Sequence, residues 1–249
     1  MSDGRQVAKL LSEGMQIDSL EAVVDRSVIN CSVVQQLLSR PLRVLALDGT
    51  SVSRTFLRSL ASSSWIAQLT ELHLGQHCLH PQLRWTGQGT DDLCAILRAS
   101  VQLARLTLPP FVDFTAVRDA VPGQLRSLSI RTSWAGCASE GEGIHVFALK
   151  RVCFTGLREL ELGMLTLPSP TKPMPELDVC MPQMEALKIL GFRSQDRQPV
   201  RRRRAKDVLF QLLTRAPKLR TLIVPSGAVS ESLRQELQAM RACHFHEVA

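Results

Sequence analysis

Apolar residues recur along this chain in one short pattern, apolar-x-x-Leu-x-apolar. It occurs as Leu42-Arg-Val-Leu45-Ala-Leu47, Leu69-Thr-Glu-Leu72-His-Leu74, Leu103-Ala-Arg-Leu106-Thr-Leu108 and Leu125-Arg-Ser-Leu128-Ser-Ile130. It returns as Leu157-Arg-Glu-Leu160-Glu-Leu162, Met184-Glu-Ala-Leu187-Lys-Ile189 and Leu219-Arg-Thr-Leu222-Ile-Val224. The first residues fall at 42, 69, 103, 125, 157, 184 and 219, giving spacings of 27, 34, 22, 32, 27 and 35. Positions four and six alternate as in a β-strand, and position one turns inward just before it, so three apolar side chains enter one core layer. One such layer cannot bury itself. Stacking seven in parallel yields a continuous core and satisfies each strand's backbone groups from its neighbours.

Between these strands, apolar residues shift to helical spacing, and helices are expected at Thr55 to Ile66, Asp91 to Val101, Phe114 to Val121, Ile144 to Cys153, Lys206 to Arg215 and Ser230 to Arg241. Thr90 before Asp91-Asp92, and acidic residues in the first turn after Ser230, are helix start signals.

The seven hexads resemble the leucine-rich-repeat family, whose pattern continues Leu-x-x-Leu-x-Leu-x-x-Asn-x-Leu, and the resemblance covers residues 42–229. It implies an α/β solenoid, horseshoe-like, with a parallel β-sheet on the concave face and helices outside. It also implies an interaction surface rather than an active site. The chain departs from the family at the Asn position, which holds Thr50, His77, Phe111, Ser133, Leu165, Phe192 and Gly227. Without an Asn ladder to stabilise the turns, the arc is expected to be divergent, flattened or twisted.

Residues 1–41 carry apolar clusters at three-to-four spacing, Val7/Leu10/Leu11, Ile17/Leu20/Val23/Val24 and Val33/Val34/Leu37/Leu38, and are read as a helical N-terminal cap. An F-box-like adaptor module is the alternative, but its Leu-Pro start and Trp-containing end are missing. Residues 230–249 are read as a C-terminal capping helix and tail. Gly136 to Gly143 and the proline-rich Pro168 to Pro182 break the rhythm and are expected to be loops able to carry contacts.

Composition changes this picture little. Hydrophobic residues make up 45% and charged residues 21%, enough apolar surface for a folded chain; with 8 Phe, 3 Trp and no Tyr, aliphatic side chains must fill the core. No run of 18 apolar residues exists, and the start Met1-Ser-Asp-Gly-Arg lacks a secretory n-region and apolar run. An intracellular, cytoplasmic protein with no membrane association is expected, with nucleus and mitochondrion as alternatives. The seven cysteines are scattered with no Cys-x-x-Cys pair, so reduced, mostly buried thiols are expected rather than a disulfide framework or a zinc site.

The residues flanking positions four and six of each hexad should line the exposed strand face. Charged and polar ones among them are Asp48, Glu71, His73, Arg105, Arg131, Glu159, Glu161 and Lys188. Their mixed sign suits a protein partner better than a phosphate backbone. Arg197, Arg201, Arg202, Arg203, Arg204 and Lys206 place six cations within ten residues, in a segment read as a loop before a helix. That run would suit RNA, an acidic protein tail or an import receptor, although no aromatic lies within it to stack on bases. His73, His77, Cys78 and His80, and Cys243, His244 and His246, are the only His/Cys clusters; neither has the spacing of a known metal site, and none is expected. No nucleophile elbow, phosphate loop or dinucleotide fingerprint is present, so neither catalytic residues nor cofactor nor small-molecule substrate is expected. The reading is a non-catalytic interaction scaffold or complex subunit, with an RNA-associated factor and a ubiquitin-ligase-type target-recognition adaptor as alternatives.

Overall fold

The computed structural model describes residues 19–23, 41–48, 54–75, 88–108, 112, 114–130, 144–149, 153–169, 171–194, 202–231, 234–235 and 244–248. The chain is mixed α/β and divides into two compact units, residues 1–122 and 123–249.

The first unit contains strands β1 (Ser19–Val23), β2 (Val44–Asp48), β3 (Glu71–Leu74) and β4 (Arg105–Leu108), and helices α1 (Arg54–Ala61), α2 (Gln88–Ala99) and α3 (Phe114–Val117). The strands pair in chain order, all parallel: Leu45 stands opposite Leu72, and Leu72 opposite Leu106. On α1, Phe56, Leu57 and Leu60 are buried while Thr55 and Arg58 face solvent, the helical periodicity expected of an outer layer. Arg58 Nε reaches Asp92 Oδ1 of α2 at 3.3 Å. Cys94 of α2 is buried and donates its thiol hydrogen to the Ala116 carbonyl of α3 at 3.6 Å; burial pushes that thiol's pKa up.

The second unit contains β5 (Ser127–Ile130), β6 (Ile144–His145), β7 (Glu159–Leu162), β8 (Leu165–Leu167), β9 (Ala186–Ile189), β10 (Phe192–Ser194), helix α4 (Arg202–Thr214), β11 (Thr221–Pro225) and β12 (His244–Val248). Its main sheet runs β5-β7-β9-β11-β12, all parallel, with Leu128, Leu160, Leu187 and Leu222 in one register line. A smaller parallel sheet runs β10-β8-β6.

The register lines are the hexad made physical. All 21 residues at hexad positions one, four and six are buried, none more than 4% exposed. Position two carries a second regularity. Its N–H donates to the position-two carbonyl of the preceding repeat: Thr70 to Arg43 (2.8 Å), Ala104 to Thr70 (2.8 Å), Arg158 to Arg126 (2.8 Å), Glu185 to Arg158 (2.7 Å) and Arg220 to Glu185 (2.8 Å). The same hydrogen bond thus enters these five strands, and unequal spacings are absorbed in the connections instead.

Several expectations need correction. Within residues 1–41, read as helical, Ser19–Val23 is a strand paired with β2; Ile17-Asp-Ser-Leu20-Glu-Ala22 has the hexad's own form, and an open sheet edge is satisfied by one more strand. The tail, read as following a capping helix, contains β12, which covers the β11 edge in the same way. Ile144 to Cys153, read as a helix, is the short strand β6, a 3-10 turn at Val146–Leu149 and a β-bridge at Cys153. Leu165 and Phe192, which occupy the Asn position, lie in β8 and β10 directly opposite each other. There a second parallel ladder joins β8 to β10, and Leu165 N–H donates to the Gly191 carbonyl at 2.9 Å. The Asn positions at 50, 77, 111 and 133, and the Gly136 to Gly143 insertion, lie outside the described residues. Among the described residues no helix is long and apolar enough to cross a membrane.

Candidate functional site

Because positions four and six of each hexad point into the core, the residues between and before them share the opposite face. In the second unit the register sets these in two rows across the strands. One row is Ser127, Glu159, Ala186, Thr221 and His244; the other is Ser129, Glu161, Lys188, Ile223 and His246. Glu161 and Lys188 are half-buried and joined, Nζ to Oε2, at 3.4 Å. Glu159, in the neighbouring row, is exposed. At the strand entrances Arg158 pairs with Glu185 at 3.7 Å.

The first unit has the corresponding rows Val44, Glu71, Arg105 and Ala46, His73, Thr107, with Ser19 and Glu21 continuing the backbone register on β1. Glu71 is their hub: its carboxylate takes Arg105 Nη1 at 2.9 Å and lies 3.6 Å from His73 Nε2. His73 Nδ1 is 2.8 Å from Thr107 Oγ1, and Thr107 is buried beneath this network although it belongs to the outward set. Of the expected face residues, Glu71 thus pairs with Arg105 and Glu161 with Lys188 across strands, while His73 meets Glu71 within β3 and Thr107 across to β4. Asp48 ends β2 by its backbone; its side chain, and Arg131 altogether, lie outside the described residues.

Sequence reasoning missed the flanking positions Ser19, Glu21, His244 and His246. The signal for the first pair was the hexad beginning at Ile17, 25 residues before Leu42 and so within the repeat's own spacing. The second was obscured because Glu247 replaces the apolar sixth residue. His244 and His246, considered as part of a terminal His/Cys cluster, are exposed on β12. Among the described residues no group of three or more His, Cys, Asp or Glu side chains is arranged to hold a metal ion.

The basic run is a helix start rather than a loop: α4 begins at Arg202. Arg203 is exposed, whereas half-buried Arg204 turns back onto the proline-rich segment, donating to the Lys172 carbonyl at 2.7 Å and the Pro168 carbonyl at 3.2 Å. Lys206 is half-buried. Arg197 and Arg201, and the Arg202 side chain, lie outside the described residues. Gln211, two turns along α4, continues the strap: its Oε1 accepts from Leu177 N–H at 2.7 Å and its Nε2 donates to the Pro175 carbonyl at 3.3 Å. The segment from 168 to 182 thus has the irregular backbone its prolines demand but is fastened to α4, with Leu177 and Val179 buried.

Three of the seven cysteines lie among the described residues, all as free thiols. Cys94 is buried, but Cys153 and Cys180 are exposed.

No protein-family model matches the chain, and no curated protein or solved structure matches it.

Proposed function

We propose that this chain is a divergent leucine-rich-repeat protein that binds a protein partner through the exposed strand faces of its units and performs no catalysis. The observation that carries this reading is the pairing of mixed-sign side chains across parallel strands, Glu71 with Arg105 and Glu161 with Lys188, over a core of register-aligned leucines. A face preordered by such pairs loses little side-chain entropy on association, and its alternating charge selects a complementary protein surface rather than a uniformly anionic one. The second-unit rows also place Ser127, Ala186, Thr221 and Ile223 beside the charged residues, the mixture of polar and apolar groups typical of protein interfaces. The RNA reading draws less support, because Arg204 already spends its guanidinium on backbone carbonyls.

Affinity capture of the full chain, with quantitative mass spectrometry, tests the proposal. Glu159→Lys with Glu161→Lys should remove the co-purifying protein, while Arg203→Ser should leave it in place. Titration against generic RNA provides the opposing arm. Binding at about 50–100 mM salt that weakens with a log–log slope near −3 or steeper, with protein capture unaffected by the Glu159/Glu161 variant, would replace the protein-partner reading with the RNA one.

A further inference from the structure

Two exposed thiols from successive repeats meet in the second unit. Cys153 and Cys180 form an isolated parallel β-bridge. Each stands four residues before the first position of its hexad, Leu157 and Met184, so the stacking that aligns the hexads also aligns the cysteines. Phe154 N–H donates to the Cys180 carbonyl at 2.8 Å and holds the two backbones together there. Strands paired in this way run about 4.7–4.9 Å apart, inside the roughly 4.4–6.8 Å Cα separation a disulfide spans. The neighbouring Cys153 side chain first, as a hydrogen-bond partner, then partial burial and the charges of Cys153 and Asp178, push the Cys180 pKa up, against the opposing pull of Arg215.

We propose that Cys153 and Cys180 are a reversible redox couple, a dithiol that a low-molecular-weight disulfide such as oxidised glutathione converts into an intrachain disulfide. Cys153 gives its thiol proton to solvent and is the first nucleophile. It attacks one sulfur of RSSR, forming a mixed disulfide and expelling RS⁻, which takes up a proton. Cys180 then gives its proton to solvent, and its thiolate attacks the Cys153 sulfur, expelling the second RS⁻. One protein S–S bond forms, two S–H bonds are lost, and RSSR is reduced to two RSH. Cys94 takes no part, because its buried thiol offers no approach to an incoming disulfide. The bond closes the segment that bears β7, with Glu159 and Glu161, between two covalently joined points. The couple stands on its own geometry and does not depend on the protein-partner reading.

The test uses the reduced full chain, incubated with oxidised and reduced glutathione at a series of ratios, quenched with N-ethylmaleimide and digested with trypsin without reduction. Peptides 152–158 and 159–188 should appear linked. Cys180→Ser should abolish the link and leave a stable single glutathione on Cys153; Cys153→Ser should abolish it as well. Unfolding in guanidinium before oxidation should erase the preference for this pair over other pairings of the seven cysteines. Separate glutathione adducts on both residues without a linked peptide, linkage of either to another cysteine, or equal yields from folded and unfolded chain would each overturn the proposal.

Discussion

Glu161 and Lys188 stand directly opposite each other on neighbouring parallel strands, with Nζ 3.4 Å from Oε2 and side chains 26% and 36% accessible. Water screens such a pair, so its coupling energy should be only about 0.2–1 kcal/mol. A double-mutant cycle with Glu161→Gln and Lys188→Met, followed by chemical denaturation, measures it. A coupling well above that range would mean the pair is a stability element rather than an ordered part of a binding face.

Beneath that pair the cost is of another order. Leu160 is in register with Leu128 on one side and Leu187 on the other and is 2% exposed. Leu160→Ala should destabilise the protein by about 2–5 kcal/mol, since both the transfer energy and the cavity left between two strands are lost. Urea unfolding monitored by circular dichroism reads this directly; a loss under about 1 kcal/mol would show that the layers repack freely.

Arg204 holds the proline-rich segment by two carbonyls, at Lys172 and Pro168. Arg204→Met keeps much of the aliphatic stem and removes these donors, and should cost about 1–3 kcal/mol. The same change should release the segment locally, so limited proteolysis with Glu-C is expected to cut after Glu176 several-fold faster than in the unmodified protein. Unchanged cleavage would assign the hold to Gln211 instead.

Two glycines should respond differently to alanine. A Cβ on Gly156 would lie 2.8 Å from the Gly123 carbonyl oxygen and 3.4 Å from that of Leu125, so backbone must move, at a cost of about 1–3 kcal/mol. Gly227, in the turn after β11, has φ +73° with open space around a would-be Cβ. There only the left-handed backbone is penalised, and Gly227→Ala should cost about 1 kcal/mol. Thermal unfolding of the two variants side by side should place Gly156→Ala lower.

What the sequence determined by itself was the layer: where position one, four and six of each hexad are apolar, those side chains are buried, and the parallel register follows from repeating one pattern. That is local periodicity acting with the hydrophobic effect, and it is legible without coordinates. The face residues Glu71, His73, Arg105, Glu159, Glu161 and Lys188 were legible for the same reason, since a strand must turn them the other way. Which of them pair was decided only by the tertiary structure, because Glu71 meets Arg105 and Glu161 meets Lys188 over sequence separations of 34 and 27, which set no register on their own. The strands β1 and β12 were decided there too. Leu20 and Val23 fit a helix as well as a strand, and the open edge of a parallel sheet, not local propensity, selects the extended form. Arg204 shows the same division: its charge was evident in the sequence, but its partners are backbone carbonyls of a segment more than thirty residues away, which no pattern of side chains announces.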